Sequence, residues 1–256
     1  MTNKKIVMLA GEGDSTNIIY NAIDVEFSID TVIIEKKESK KIFIKRRIKK
    51  LGIVTVGGQI LFQLIIVKLL DIFSAKRIKN ILAENQLNIS DISARKIVRV
   101  NSINDNTVVE LLRNIKPDVI IINGTRIISK KILTAIPCVF INGHTGITPM
   151  YRGVHGGYWA LVNNDRKHCG VTVHLVDEGI DTGAILYQEN IQVTKKDNFV
   201  TYPYLQTAKM LSILSMAVEN ALSDNLHKVS VTGNSKIWYH PTIWQYLFCR
   251  IFKKVK

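Results

Sequence analysis

Cysteine is scarce. The 256-residue chain has three (Cys138, Cys169 and Cys249), widely spaced and odd in number. That pattern excludes a disulfide framework and a CxxC metal site, and it suits a reducing cytoplasm. No metal-ligand spacing, internal repeat or low-complexity linker is present. The apolar run Ile6 to Ala10 after the basic start is too short for a secretory signal peptide. Long apolar runs are also lacking. A membrane span needs roughly 18 or more mostly uninterrupted apolar residues. The best stretch, 51–73, is interrupted by Gly57, Gly58, Gln59, Gln63, Lys68 and Asp71. Acids are few: 21 Asp and Glu against 35 Lys and Arg, a formal charge of +14. A field of that sign favours anionic partners, whether nucleotide diphosphates, nucleic acid or acidic lipid headgroups. It does not choose among them.

What is present is a chain long enough for one sizeable α/β domain and a small appendix. Its 46% hydrophobic content fits a globular core. Residues 5–10 and 29–34 read as buried strands. Between them Gly11 to Asn17 leads into a helix. A Gly-rich strand-to-helix turn can hold phosphate, but Glu12 and Asp14 oppose it, so capping by Ser15 or Asp14 is expected. Residues 36–50 are strongly basic. In 51–73 the residues Leu61, Leu64, Ile65, Lys68 and Ile72 recur with helical rhythm. That helix is expected to lie on an anionic membrane surface or to pack on the sheet or a second subunit. A helix and an edge strand follow in 76–100. A capping signal at Ser102 or Asn104 opens a helix that stops at Pro117. VIIIN (119–123) is continuously apolar, as in a parallel strand covered on both faces. ILYQENIQV (185–193) reads as a strand. A helix begins near Pro203, with Asp197 or Thr201 as caps and a core stripe at Leu205, Ala208, Leu211, Leu214 and Val218. The aromatic, basic tail is expected to pack on the domain or touch a membrane.

The chemistry concentrates in 117–188. Asn142 and His144 follow the apolar run 138–141, which reads as a short buried strand. Residues two apart at a strand end point the same way, so an amide and an imidazole converge at the strand's C-terminal edge, where open α/β sheets bind ligands. Asp181 lies in the turn Glu178-Gly179-Ile180-Asp181-Thr182-Gly183, after the strand-like run 171–176. Asn142-x-His144, then Pro149-x-Tyr151-Arg152-Gly153, then a strand and Asp177-x-Gly179-x-Asp181-x-Gly183 together resemble the formyltransferases that use 10-formyltetrahydrofolate. Gly153-Val154-His155-Gly156-Gly157-Tyr158-Trp159 and Thr201-Tyr202-Pro203-Tyr204 are most similar to the sugar N-formyltransferases. The likeness covers about 105–206 well and the N-terminal part weakly. The segment 36–73 is longer than the matching connection in ordinary members.

The resemblance implies a Rossmann-like, mostly parallel sheet with helices on both faces. Residues 1–200 would form the catalytic domain and 201–256 a C-terminal helix and aromatic/basic extension. It implies Asn142, His144 and Asp181 as catalytic residues. Arg126, Ile127, Ile128, Val176, Asp177, Gly179 and Ile180 would bind the folate donor; Tyr151, Arg152, His155, Gly156, Tyr202 and Tyr204 would bind the acceptor. The expected reaction moves formyl from 10-formyltetrahydrofolate to the amine of a nucleotide-linked amino sugar, for surface polysaccharide such as lipopolysaccharide O-antigen. No nucleic-acid partner or metal is required. The alternatives are glycinamide ribonucleotide formyl transfer, tRNA formylation, and a non-catalytic folate-binding or membrane-surface protein. Residues after 207 are too few and too helical for the separate β-barrel tRNA domain that tRNA-formylating relatives carry. The expected location is cytoplasmic. Peripheral contact with the inner membrane face through 42–73 and a homodimer both stay open.

Overall fold

The computed structural model describes residues 4–256. A seven-stranded sheet runs in the order β3-β2-β1-β4-β5-β7-β8. Its strands are β1 (Ile6–Ala10), β2 (Ile29–Glu35), β3 (Ile97–Val100), β4 (Val119–Asn123), β5 (Val139–His144), β7 (Gly170–Leu175) and β8 (Ile185–Asn190). The first five positions pair in parallel, and β7 and β8 are antiparallel. This is the mostly parallel, helix-covered sheet expected from the sequence. β1 and β4 are buried at every residue, because helices cover both faces. The two-residue period divides β1 cleanly. Ile6, Met8 and Ala10 enter one core with α1 (Asp14–Phe27) and α8 (Tyr202–Leu222). Val7 and Leu9 enter the other, with α5 (Asn106–Ile115).

Helix α8 belongs to the sheet's own core through Met210, Ile213, Leu214, Ala217, Val218 and Ala221. The boundary expected at residue 200 therefore does not separate two cores. Of the expected stripe only Leu214 and Val218 are buried. Helix α8 is rotated so that Gln206 faces inward and donates to the Gly170 carbonyl at 2.8 Å. Other local expectations also shift. Gly13, not Ser15 or Asp14, occupies the N-cap of α1, with no side-chain cap. Asp14 instead accepts from the Tyr204 hydroxyl at 2.8 Å. Asp105, not Ser102 or Asn104, occupies the N-cap of α5.

The basic segment forms α2 (Lys40–Leu51). After it, α3 (Ile53–Leu61), a π-helical segment (Phe62–Val67) and α4 (Lys68–Glu84) run on as one helix of 32 residues. One face is tied to the domain. Phe62 is fully buried against Phe199 and Tyr246, and Arg77 donates to the buried Asp197 carboxylate at 2.7 Å. The rhythmic residues Leu61, Leu64, Ile65 and Ile72 lie on the opposite, exposed face. The tail returns to the domain. β9 (Ile237–Trp238) pairs with β6 (Arg152–Gly153), and α9 (Ile243–Phe252) packs beside α3 with the Trp244 ring seated on Gly58.

Candidate active site

Strand β5 is longer than the sequence suggested. Antiparallel pairing carries it through His144, so Asn142 and His144 lie inside the strand and not beyond its end. The same register sets His174 opposite Asn142. His174 Nδ1–H donates to the Leu175 carbonyl at 2.7 Å, which leaves Nε2 to accept from the Asn142 amide at 3.1 Å. One Asn142 N–H is thereby fixed, and the other is free to face the cleft. His174 carries no motif, so sequence reasoning missed it. The antiparallel register opposite Asn142 is the signal that finds it.

His144 is buried. Its Nε2 lies 2.8 Å from the Tyr151 carbonyl, which can only accept, so Nε2 carries the proton. Nδ1 then points at Asp181, with Oδ2 3.5 Å away. Asp181 sits at φ +49°, a left-handed conformation uncommon outside glycine and associated with functional turns. Its carboxylate accepts from the Gly153 N–H at 2.8 Å, and Oδ1 is 3.8 Å from His174 Nε2. Burial by itself would raise the Asp181 pKa. The His174 contact, the charge of His144 and the Gly153 N–H outweigh it and hold the group at about 2. Burial pushes His144 below the usual imidazole range, against the opposing pull of Asp181. The carboxylate is thus ionised near neutral pH and faces His144 Nδ1.

A cleft of about 310 Å³ opens over Asn142, His174 and Asp181. One wall is the loop after β4 (Gly124, Thr125, Arg126, Ile127 and Ile128) together with Val176, Asp177, Gly179 and Ile180. All seven residues assigned to the donor from sequence therefore line one cavity. Ile127 is exposed and Ile128 buried. The Arg126 guanidinium is already paired with the buried Glu35 at 2.7 Å, so Arg126 shapes the loop and leaves little charge for a ligand. The Asp177 carboxylate closes its own turn, accepting from Gly179 N–H and the Thr182 hydroxyl. The opposite wall is Gly153, Val154, Ile237, Trp238, Tyr239 and Arg47. The tail and the basic helix supply the last four, and sequence reasoning gave them no place in the site.

The residues assigned to the acceptor are scattered. Tyr151 is buried, its hydroxyl on Asp165 and its ring stacked on Trp238. Arg152 donates to the Ile180 carbonyl at 2.7 Å and anchors the Asp181 turn. Gly156 is pressed against Gly146, where a Cβ would lie 2.6 Å from its Cα. Tyr202 is buried in the aromatic core. Tyr202 also borders a separate cleft with Arg166 and Lys256, while His155 and Tyr204 reach a second cleft of about 300 Å³ with Gln63, Val67, Phe199 and His240. It adjoins the first, because successive residues of 153–155 and 238–240 line the two.

His155 and His240 meet at 3.0 Å. Gln59 donates to the His240 carbonyl at 2.7 Å, and Gln63 approaches its ring at 3.0 Å. Burial, aided by Arg47, lowers His240 from 6.5 to about 4; burial and His240 push His155 well below the usual range. Both imidazoles are neutral when folded and titrate normally when unfolded. For His240 the contribution to stability is complete above about 6.5 and is lost as pH falls towards 4, and His155 acts in the same direction. For His240 this amounts to on the order of 3 kcal/mol. Melting temperature is expected to fall between pH ~7 and ~5, and His240→Gln should flatten that slope. An equal slope in the variant would place the pH dependence elsewhere.

Known proteins bear on this geometry. The family described as "Formyl transferase" matches residues 72–210. Methionyl-tRNA formyltransferase of Thermodesulfovibrio yellowstonii is 31% identical over 143 residues, covering 54% of this chain and 44% of its own. The Pelotomaculum thermopropionicum protein of that name is 39% identical over 88 residues, covering 34% and 28%. The chain thus spans less than half the length of these curated relatives. Among solved structures, a sugar N-formyltransferase from Shewanella sp has a TM-score of 0.59 at 13% identity, over 91% of this chain and 76% of that one. Glycinamide ribonucleotide transformylase 1 from Symbiobacterium toebii has a TM-score of 0.56 at 16% identity, over 91% and 93%. At those identities the likeness is one of fold. The formyl donor of the family is 10-formyltetrahydrofolate, and the cleft fits it. Apolar Ile122, Ile128 and Val176 line it beside Asn142, as a flat pterin requires. The matched segment holds β5, β7 and the Asp181 turn within one sheet and one cleft, and on that match the chain belongs to the formyl transferase family.

Proposed function

We propose that the protein is a cytoplasmic N-formyltransferase. It moves the formyl group of 10-formyltetrahydrofolate to the amine of a nucleotide-linked amino sugar for surface polysaccharide. The observation that carries the reading is the meeting of Asn142 and Asp181 at one cleft, with His174 orienting the amide and the buried His144 standing 3.5 Å behind the carboxylate. Asn142 donates its free N–H to the formyl oxygen as negative charge develops there. The amine attacks the formyl carbon, a new C–N bond forms, and the bond to the folate nitrogen breaks. The amine's proton passes to the Asp181–His144 pair and on to the departing nitrogen. The ionised Asp181 keeps His144 able to hold that proton despite burial.

The wall opposite the donor loop supports the acceptor class. Tyr239 edges that wall, and Trp238, stacked on Tyr151 and Trp159, backs it. Arg47 and Lys50 stand over the Tyr239 ring at 5.6 and 5.4 Å, placing cations where a diphosphate would lie. Glu12 and Asp14 at the first loop oppose a ribonucleotide phosphate there. One further reading has specific support. The relatives named methionyl-tRNA formyltransferase and the +14 charge suit a tRNA acceptor. The exposed apolar helices support a working position at the inner face of the membrane.

The test is turnover of 10-formyltetrahydrofolate with amino-sugar nucleotides, glycinamide ribonucleotide and methionyl-tRNA side by side. Formamido-sugar formed in step with tetrahydrofolate is the expected result. Formylation of methionyl-tRNA alone would replace the sugar reading. Formate released without any acceptor would make the protein a hydrolase.

A further inference from the structure

Helix 53–84 is long and apolar enough to cross a bilayer, yet its inward face is bonded to the domain. Phe62 and Ile81 are fully buried. Gln59 holds His240, and Arg77 holds Asp197. Spanning would break all of these contacts and strand a buried carboxylate. The outward face is mostly apolar, with Lys68 among its large side chains. Leu61, Leu64, Ile65, Leu69, Ile72 and Phe73 follow a spacing of three and four, with Ile72 70% and Phe73 81% exposed. Helix α9 lies alongside and adds Trp244, Leu247, Phe248, Ile251 and Phe252 in the same rhythm, with Phe252 70% exposed. Soluble domains rarely leave so many large apolar residues together on one surface.

The charge around this face is predominantly positive. Over residues 40–84 there are eleven Lys or Arg and two acids, Asp71 and Glu84; from 243 to 256 there are four Lys or Arg and no acid. We propose that the paired outer faces of helix 53–84 and α9 dock in the plane of an anionic lipid bilayer, apolar side chains below the headgroups and lysines among them. Amphipathic helices with a basic border bind this way, and Trp244 suits the interfacial layer. A second copy fits less well, since a twofold contact would set one basic border against another. The inward side of the same helix lines the cleft of His155, Tyr204 and His240 through Gln63 and Val67. Docking therefore brings that cleft to within about one helix diameter, ~10 Å, of the headgroups. The proposal does not depend on which acceptor is formylated.

The full chain is floated with vesicles of phosphatidylcholine alone and with about one quarter phosphatidylglycerol. Binding to the anionic vesicles only, weakened by salt, is expected, with a blue-shifted Trp244 emission that brominated lipid quenches and that Trp244→Phe removes. Phe73→Glu with Phe252→Glu changes two exposed residues, and should lower partition about tenfold or more while the melting temperature and donor binding in solution stay unchanged. Absence of binding to anionic vesicles overturns the proposal. So does binding that the double variant leaves intact, and so does a wild-type dimer that the double variant converts to monomer without any vesicle binding. None of these results touches the formyl-transfer reading, which is tested in solution.

Discussion

Asp181→Asn is expected to lower kcat by on the order of a thousandfold, within the range acid–base groups contribute, while the protein stays folded. The amide can still accept from the Gly153 N–H through Oδ1, so the turn at φ +49° keeps its anchor. What disappears is the charge. In the parent, Asp181 is held at about 2 despite burial that would raise it, so it is ionised whenever the enzyme works. That charge is what opposes the burial of His144. Without it the imidazolium that His144 would form on taking up a proton at Nδ1 has no counter-charge in its buried site. Transfer of the amine's proton towards the leaving nitrogen then loses its stabilised relay. Steady-state rates with saturating donor, together with a melting curve, check this. Loss of less than about tenfold would remove the carboxylate from the chemistry. Asp181→Asn should also lose the stability that the ionised carboxylate supplies. In the parent that stability is complete above 3.8 and fades as pH falls towards about 2.

Asn142→Ala removes a hydrogen-bond donor and leaves the carboxylate in place, and the expected kinetics differ. An amide aimed at a developing oxyanion contributes mainly in the transition state. Its loss should lower kcat by about 100- to 1000-fold with little change in KM for the donor. The orientation makes this sharper than for an average surface amide. His174 Nε2 fixes one N–H at 3.1 Å, and His174 is itself held by the Leu175 carbonyl. His174→Phe should therefore reproduce part of the defect by releasing the amide, with the larger share again in kcat. A variant whose KM rises while kcat holds would instead give Asn142 a ground-state binding role.

The sequence by itself indicated the buried parallel strands, and its family resemblance pointed to the donor residues. Continuously apolar β1 and β4 have only one stable use, between two helical layers. Asn142, His144 and the donor loop are close in sequence to the parallel neighbours β4 and β5, whereas Asp181 reaches them through β7, which pairs antiparallel with β5. The acceptor side was legible only in part. Tyr151 and Tyr202 read as pocket aromatics, yet both are buried, because aromatic rings fill cores as readily as they face ligands. Trp238, Tyr239 and Arg47 arrive from segments distant in the chain, on β9 and on the inserted basic helix. Only tertiary folding decides that meeting.

The apolar run 51–73 shows the same division. Its periodicity fixed a helix and the direction of its apolar face. Periodicity carries no information about what that face meets, and the tertiary structure turned it outward, because the Gln59, Phe62 and Arg77 side was the one with partners waiting in the domain. Local patterns are set by which side chains the backbone period aligns. Which aligned face is buried is decided by distant groups, and their positions exist only once the chain is folded.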